Sequence, residues 1–335
     1  MKRCRVVFYL LSALIPALSL ALEPQAAPGL ALQGADHYAF TVGDITVTAL
    51  SDGTVPQDLH VLLQGASTEK VDGLLHKAFL ANPVEASINA FFFRLPGRAV
   101  LVDTGAGDFF GPGYGGKLIQ SLAAIQVTPE EITDVLLTHA HDDHMGGLVH
   151  QGKIAFPNAT VHLSKADLDF FLNRSNSASA NYAMSYFDQA ETALAPCLAA
   201  GKIATFSGTT EVLPGVTATI HPGHTPGSTF YTLLSHGQSL VFIGDIVHVA
   251  SVQAPDPDIT ITYDVNPSLA ATVRRTAFAE FARNRALLAV PHLSFPGVGH
   301  VEAVGGGYHW VPVDYGNRSV SPGSTYADPH QSGDK

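Results

Sequence analysis

The chain has 335 residues, of which 46% are hydrophobic and 14% are charged. This length and composition are typical of a folded protein with one large domain or two small ones. The net charge of -11 argues against nucleic acid as a partner, because binding to phosphate backbones requires basic patches.

The N-terminal segment has the pattern of a secretory signal peptide. Lys2, Arg3 and Arg5 precede an apolar stretch at residues 6–22, and small residues follow at suitable cleavage positions. An uncleaved membrane anchor is the alternative, but the stretch is short for a bilayer span and contains a proline. We therefore predict a signal peptide at residues 1–27, which makes the protein exported, either periplasmic or secreted, with no membrane attachment after cleavage.

The rest of the chain is predicted to be one domain at residues 28–317, followed by a polar tail at 318–335 that is expected to be disordered. The first half of the domain is predicted to contain two hairpins, a helix and a buried strand. The hairpins follow from alternating apolar residues around Gly43-Asp44 and Pro96-Gly97, and the helix follows from apolar residues at helical spacing. Their ranges are 38–42 with 45–50, 88–95 with 99–102, 117–126 for the helix, and 134–137 for the strand.

The second half alternates strands and helices, which indicates a mixed α/β protein. Ser164 is predicted to cap a helix that ends near residue 172, and Pro267 is predicted to begin another that ends near residue 285. Residues 175–190 are rich in Ser, Asn and Ala and are predicted to form a mobile flap or an irregular helix. The predicted strands are 161–163, 216–220, 230–234, 240–243, the last buried strand at 286–290, and an edge strand at 308–313.

A dense cluster of candidate metal ligands follows the strand at residues 134–137. His139, His141, Asp143 and His144 stand within six residues, while Asp142 between them is expected to face solvent. Imidazole and carboxylate groups together bind zinc and similar divalent ions. Four ligands on so tight a loop can serve two metals, because one ion cannot easily take all four.

Three further candidate ligands occur later in the chain, each near the end of an apolar strand. They are His224, Asp245 and His292. The ends of strands are where loops meet and where α/β proteins place their chemistry. A single histidine is more often a core or surface residue than a ligand, but seven such groups in this order are specific for a metal site.

The ligand order resembles that of the metallo-β-lactamase superfamily over roughly residues 36 to 316. Within it, the chain is most similar to the methyl parathion hydrolase group. The segments that carry this resemblance are residues 101–105, 110–112, 223–227 and 292–300. The resemblance implies an α/β fold, namely the four-layer αβ/βα sandwich, with the metals at one rim between two sheets.

The resemblance also implies how two Zn²⁺ ions are shared, although Mn²⁺, Co²⁺ or Fe²⁺ would suit the same ligands. One ion takes His139, His141 and His224; the other takes Asp143, His144 and His292; Asp245 bridges both. Asp245 and Asp143 are the expected catalytic carboxylates, and a hydroxide between the metals is the expected nucleophile. Asp103, at the end of its strand, is expected to support a ligating histidine.

The expected substrate pocket is apolar and aromatic. By resemblance, Phe110, Phe171, Tyr186 and Phe187 are candidates to stack on an aryl leaving group, although core packing is the alternative for Phe171. His248 stands where phosphotriester specialists of the group are expected to carry an aliphatic residue. An imidazole there favours a polar ester or lactone over a bulky thiophosphate.

Three functions remain open at this point. The first is an exported dinuclear zinc hydrolase of lactones or aryl esters with side activity on organophosphate triesters. The second keeps the same site but makes a phosphotriester the main substrate, as in the methyl parathion hydrolase group. The third is a non-catalytic metal-binding protein. The predicted partner is a small-molecule substrate, and relatives of this kind are often homodimers.

Overall fold

The computed structural model describes residues 36–317. The predicted signal peptide at 1–27 and the predicted tail at 318–335 therefore lie outside the described residues. Among the residues described, no helix is long and apolar enough to cross a membrane.

Eighteen strands are assigned within the described range. The first ten, in chain order, are β1 (His37–Val42), β2 (Ile45–Gln57), β3 (Leu63–Gln64), β4 (Val84–Leu95), β5 (Arg98–Val102), β6 (Asp134–Leu136), β7 (Val149–His150), β8 (Lys153–Ile154), β9 (Thr160–Ser164) and β10 (Ile203–Phe206). The remaining eight are β11 (Thr209–Leu213), β12 (Val216–Ile220), β13 (Thr229–Ser235), β14 (Gln238–Phe242), β15 (Thr260–Ile261), β16 (Leu287–Ala289), β17 (Val298–Val304) and β18 (Gly307–Pro312).

Nine α-helices and three short 3₁₀ turns connect these strands. The helices are α1 (Leu59–Leu62), α2 (Thr68–Lys77), α3 (Leu118–Ala124), α4 (Asp142–Met145), α5 (Lys165–Phe171), α6 (Ser175–Ala180), α7 (Met184–Ala199), α8 (Ala250–Gln253) and α9 (Pro267–Asn284). The 3₁₀ turns are Pro129–Glu131, Gly146–Leu148 and Gly244–Ile246.

Most strands belong to two seven-stranded sheets. The first has the order β1-β2-β4-β5-β6-β9-β10 and the second the order β11-β12-β13-β14-β16-β17-β18. In the first sheet β1, β2, β4 and β5 pair antiparallel, whereas β5, β6, β9 and β10 pair parallel. In the second sheet β14 and β16 pair parallel, and the other neighbouring strands pair antiparallel. Each half of the chain thus supplies one mixed sheet.

The hydrophobic core has the layers of the predicted αβ/βα sandwich. Between the two sheets, Phe91 of β4 packs on Phe242 of β14 with ring centroids 5.4 Å apart. The other face of the first sheet packs on α3, α5 and α7, and the other face of the second packs on α9. Burying both faces of each sheet explains the long apolar runs in the sequence, and the predicted fold class is confirmed.

Parallel pairing brings the candidate ligands to one rim. Val102 pairs with Leu136 in the first sheet, so Asp103 and the loop that carries residues 139–144 leave adjacent strand ends. Phe242 pairs with Ala289 in the second sheet, so Asp245 and His292 follow adjacent strand ends in the same way. Since the sheets pack face to face, both pairs of loops lie at the same edge of the sandwich.

Most predicted elements are present, and two predictions are wrong. Residues 175–190 form two regular helices, α6 and the start of α7, separated at Asn181, which adopts a left-handed conformation. The strand at 286–290 is not the last one in the core, because β17 adds buried Val298 and Val301 beyond it. Helices α1, α2 and α8, which pack together beside the ligand rim, were not predicted.

Candidate metal centre

Four of the seven candidate ligands converge in a first group that comprises His139, His141, His224 and Asp245. Nδ1 of His141 lies 3.0 Å from Nε2 of His139 and 3.0 Å from Nε2 of His224. All four side chains are buried. One lone pair on one nitrogen cannot accept both of these contacts, so a network of hydrogen bonds does not explain the convergence.

The other three form a second group of Asp143, His144 and His292. Nε2 of His144 and Nε2 of His292 are 3.3 Å apart, and each lies about as far from the Asp143 carboxylate, at 3.5 Å and 3.4 Å. His144 and His292 are buried, whereas the side chain of Asp143 is 14% exposed. The second group therefore opens to solvent on its Asp143 side.

Asp245 contacts members of both groups. Its Oδ2 lies 3.4 Å from Nε2 of His224 and 3.0 Å from Nε2 of His292, and its Oδ1 lies 3.2 Å from Nε2 of His144. Asp245 thus lies between the two groups.

The donor set fits divalent metal ions. Zn–N bonds of 2.0–2.1 Å in a tetrahedral site place ligand nitrogens roughly 3.3 Å apart, close to the 3.0 Å and 3.3 Å separations seen here. Oδ1 of Asp245 is buried and accepts no hydrogen bond, which is costly unless another partner satisfies it. A cation between the imidazoles and the carboxylates would bind the lone pairs of the imidazole nitrogens and of this carboxylate oxygen.

Burial and mutual charge shift the pKa values of the cluster strongly. Burial lowers the pKa of His139 and of His141 well below the usual value. Burial also acts to lower the pKa of His224, but contacts with Asp245 and Asp264 outweigh it and raise that pKa to about 9. Burial acts to raise the pKa of Asp245, yet the surrounding imidazoles hold it well below its ordinary range. The carboxylate is thus ionised, as a metal ligand must be.

In three of the candidate histidine ligands, His139, His144 and His292, Nδ1 lies beside a hydrogen-bond acceptor. Nδ1 of His144 lies 2.9 Å from Oδ2 of Asp103, so the predicted support by Asp103 is present. Nδ1 of His292 lies 2.9 Å from the backbone oxygen of Ser87. Nδ1 of His139 lies 3.1 Å from Oγ1 of Thr138, which donates to Asp103. In each case Nδ1 carries the proton, and Nε2 is left with a lone pair for a metal.

Asp167 connects the loop that carries His139 and His141 to the loop that carries His224. The sequence analysis did not identify this residue. Its carboxylate accepts the backbone N–H groups of Ala140 and Gly227 at 3.0 and 2.6 Å, and the hydroxyl of Thr225 at 2.9 Å. Gly227 is required by the close approach of α5, because a Cβ there would lie 1.7 Å from Oγ of Ser164.

A cavity of about 420 Å³ opens beside both groups. Part of the lining is apolar, with Val55, Pro56, Val61, Leu62 and Phe110. The rest is mostly polar or aromatic, and its residues include Gln57, Asp58, His141, Asp142, Asp143, Tyr186, Gln189, Asp245, His248, Tyr263 and His292. The volume is that of a site for a small molecule.

The predicted pocket residues divide into two sets. Phe110, Tyr186 and His248 line the cavity, as predicted. Phe171 and Phe187 are fully buried in the core between α5, α7 and the first sheet, so their prediction as pocket residues is wrong. Phe171 instead packs edge-on against the ring of His141, with centroids 5.6 Å apart. The prediction rested on resemblance to other sequences, which does not show that this helix turns the side chain inward.

Asp142 also departs from its prediction. It is partly buried rather than free in solvent, and it accepts a hydrogen bond from Nε2 of Gln189 at 2.8 Å. Burial, followed by the charge of Asp143, raises its pKa to about 7. Asp142 therefore contributes polar surface to the cavity next to the metal ligands.

His248 is closer to the ligands than predicted. Its Nε2 lies 3.2 Å from Oδ2 of Asp245, and its ring stacks on that of His292 at 5.2 Å and 9°. Both ring nitrogens are buried, and neither makes a well-aligned hydrogen bond among the described residues. The ring thus adds a polar group to the ligand cluster beside the cavity.

Relatives of known structure share this architecture. A hydrolase of the β-lactamase superfamily, AbOPH, superposes with a TM-score of 0.80 and 35% identity, over 85% of this chain and all of that one. AidC, described as a dizinc quorum-quenching lactonase in complex with a product, N-hexnoyl-L-homoserine, superposes with a TM-score of 0.76 and 25% identity, over 84% of this chain and 98% of that one.

Curated relatives match a shorter stretch. Metallo-beta-lactamase domain-containing protein 1 of Xenopus laevis is 38% identical over 93 residues, which is 28% of this chain and 34% of the relative. The match thus spans about a third of that relative's length. The model of the metallo-beta-lactamase superfamily matches residues 84–292, more than half of the chain and all seven candidate ligands. The chain therefore belongs to the metallo-beta-lactamase superfamily and is a metal-dependent hydrolase.

Proposed function

We propose that the protein is an exported dinuclear zinc hydrolase of lactones or aryl esters, with side activity on organophosphate triesters. The observation that carries this proposal is the pair of ligand groups joined at Asp245 and open to one cavity. A structural zinc site is closed by four protein ligands, whereas a catalytic site keeps an open position. The exposure of Asp143 on the cavity side supports the catalytic alternative.

In this proposal, His139, His141 and His224 hold one ion, Asp143, His144 and His292 hold the other, and Asp245 holds both. When bound, such ions polarise a carbonyl oxygen and lower the pKa of water towards neutrality. The protein residues orient the substrate and exclude water from the apolar wall, where Phe110 is half-buried. Since the carboxylates and imidazoles serve as ligands, no serine or cysteine nucleophile is needed.

The lining of the cavity favours an ester with an apolar substituent. Asp143 and Asp245 would be neutralised by the ions that they hold, so the apolar part of the lining is what selects among substrates. Val61 and Phe110 offer apolar surface to an acyl or aryl group. The lactonase AidC and the hydrolase AbOPH, both similar over most of the chain, support this choice of substrate class.

His248 favours lactones and esters over bulky phosphotriesters. Its imidazole lines the cavity beside Asp245 and makes that part of the site more polar than an aliphatic residue would. A phosphotriester as main substrate, as in the methyl parathion hydrolase group, is the alternative function. If His248 favours lactones, His248→Leu should lower kcat/KM for lactones and raise the relative rate on methyl paraoxon.

A metal-counted substrate panel tests the proposal. The metals per chain are measured by plasma mass spectrometry, and kcat/KM is measured on the same sample for dihydrocoumarin, acyl-homoserine lactones, p-nitrophenyl acetate, methyl paraoxon and nitrocefin. Two zinc ions with the highest kcat/KM on a lactone or aryl ester are expected. A higher kcat/KM on methyl paraoxon would select the alternative, and two bound metals without turnover would contradict both.

A further inference from the structure

Two ligands of the first group have their outer nitrogen held by the same short segment, Tyr263 and Asp264. Nδ1 of His224 lies 2.9 Å from Oδ1 of Asp264. Nε2 of His141 lies 2.8 Å from the hydroxyl of Tyr182, and that hydroxyl lies 2.7 Å from the backbone oxygen of Tyr263. The segment thus reaches one ligand directly and the other through Tyr182.

The direction of each hydrogen bond follows from its acceptor. The backbone oxygen of Tyr263 can only accept, so the single hydroxyl proton of Tyr182 points to it. The hydroxyl oxygen must then accept the Nε2 proton of His141, which leaves the lone pair of His141 on Nδ1, inside the first group. In the same way, the Asp264 carboxylate accepts the Nδ1 proton of His224 and leaves its lone pair on Nε2.

The segment is itself fixed by buried contacts. Oδ2 of Asp264 accepts the backbone N–H of Ile261 at 3.1 Å, and the backbone N–H of Val265 donates to the backbone oxygen of His224 at 2.8 Å. The guanidinium of Arg274 in α9, fully buried, lies 3.9 Å from Oδ2 of Asp264 and donates to the backbone oxygen of Ile259 at 2.7 Å. A rigid partner orients a ligand better than a mobile one.

The second group is supported by other residues. His144 donates to Asp103, and His292 donates to the backbone oxygen of Ser87. Neither histidine contacts Tyr182 or Asp264 in the part of the chain that the structure describes. His141 and His224 therefore have supports that the second group does not share, whereas His139 and His144 are both linked to the Asp103–Thr138 pair.

We propose that Tyr182 and Asp264 are positioning residues that set the affinity of the first group for its metal ion independently of the second group. The inference rests on the proposed function, because it assumes that the first group binds an ion. Removal of an outer hydrogen-bond partner of a ligating histidine typically weakens metal binding 10–100-fold.

The test compares Tyr182→Phe and Asp264→Asn with the wild-type protein. Phenylalanine keeps the stacking of residue 182 on Tyr186, whose ring centroid is 4.5 Å away, so Tyr182→Phe removes the hydroxyl alone. Tyr38→Phe is the matched control, since its hydroxyl also contacts a backbone oxygen, that of Asp314, at the outer edge of the first sheet. Zn²⁺ affinities are measured by competition with a chromophoric chelator, and the absorption spectrum of the Co²⁺-loaded protein reports the ligand geometry.

Each variant should bind one of two Zn²⁺ ions about 10–100-fold more weakly and the other ion with unchanged affinity. The Tyr38→Phe control should bind both ions with the affinities of the wild-type protein. In ¹⁵N spectra of the Zn²⁺-loaded wild-type protein, His141 should be protonated at Nε2, and the other four histidine ligands at Nδ1. Equal weakening of both ions, or wild-type affinities in Tyr182→Phe, would overturn the inference. If the wild-type protein bound no Zn²⁺, the proposed function itself would fail.

Discussion

Replacement of Asp103 by asparagine tests whether the second group depends on a buried carboxylate. Asp103 accepts three hydrogen bonds: Thr138 donates its backbone N–H to Oδ1 and its hydroxyl to Oδ2, both at 2.8 Å, and Nδ1 of His144 lies 2.9 Å from Oδ2. All three residues are at most 2% exposed. Asparagine has the same shape and tolerates the positive φ of 59° at this position, so backbone strain does not enter.

The amide can satisfy only part of this set. If its oxygen faces His144, its NH₂ faces the backbone N–H of Thr138, and one buried donor is left unsatisfied at a cost of about 1–3 kcal/mol. If its NH₂ faces His144 instead, the imidazole must move its proton to Nε2 and ceases to be a ligand. A 10–100-fold loss of metal affinity corresponds to about 1.4–2.8 kcal/mol.

Two assays separate these costs. Urea unfolding of the metal-free protein measures the stability term, and chelator competition measures the affinity for each ion. We expect Asp103→Asn to lower at least one of these quantities by the stated amount, with the larger loss of affinity at one ion, because Asp103 contacts His144 directly and His139 only through Thr138. Asp169→Asn is the control, because Asp169 pairs only with Lys165 on the surface of α5. Unchanged stability together with unchanged affinity for both ions would refute the reasoning.

Three further changes have distinct readouts. Asp245→Ala should abolish turnover and remove at least one metal while leaving the far-UV circular dichroism nearly unchanged; retained activity would exclude the bridging role. Asp52→Asn should lower the free energy of unfolding by about 1–3 kcal/mol, because the carboxylate of Asp52 accepts three backbone N–H groups that one amide oxygen cannot all satisfy. The control Asp44→Asn, at an exposed residue, should change the free energy of unfolding little. Equal unfolding midpoints of the two variants would contradict this. Phe110→Ala should raise KM for aryl esters several-fold, because it removes apolar surface from the cavity. The control Phe79→Ala, at a residue that is 99% exposed, should leave KM unchanged. Equal KM values in the two variants would count against Phe110 as part of the substrate pocket.

The sequence predicted the parts of the site that depend on strand ends. His224, Asp245 and His292 follow apolar runs. Parallel pairing of β14 and β16 brings Asp245 and His292 to one rim, and β12 before His224 runs in the same direction as β14 because antiparallel β13 lies between them. Asp103 was predicted for the same reason, since it ends β5 beside the strand that delivers the ligand loop. Periodicity also located both main hairpins and the long helix α9.

The supporting contacts could not be predicted in this way. Tyr182 meets His141 across 41 residues of chain, and Asp264 meets His224 across 40, with no repeating pattern that links them. Phe171 and Phe187 failed for a related reason, because resemblance in sequence does not decide which way a helix turns a side chain. Such contacts depend on packing, which composition and periodicity do not specify.

A dinuclear hydrolase requires both ligand groups to bind metal and hydrolysis to depend on the pair. Metal should be removed with a chelator and Zn²⁺ returned in fractions of an equivalent, with metal per chain and lactone hydrolysis measured at each step. Negligible turnover is expected without metal, and full turnover only as the second equivalent binds. Full turnover with one equivalent, or turnover in the metal-free protein, would contradict it.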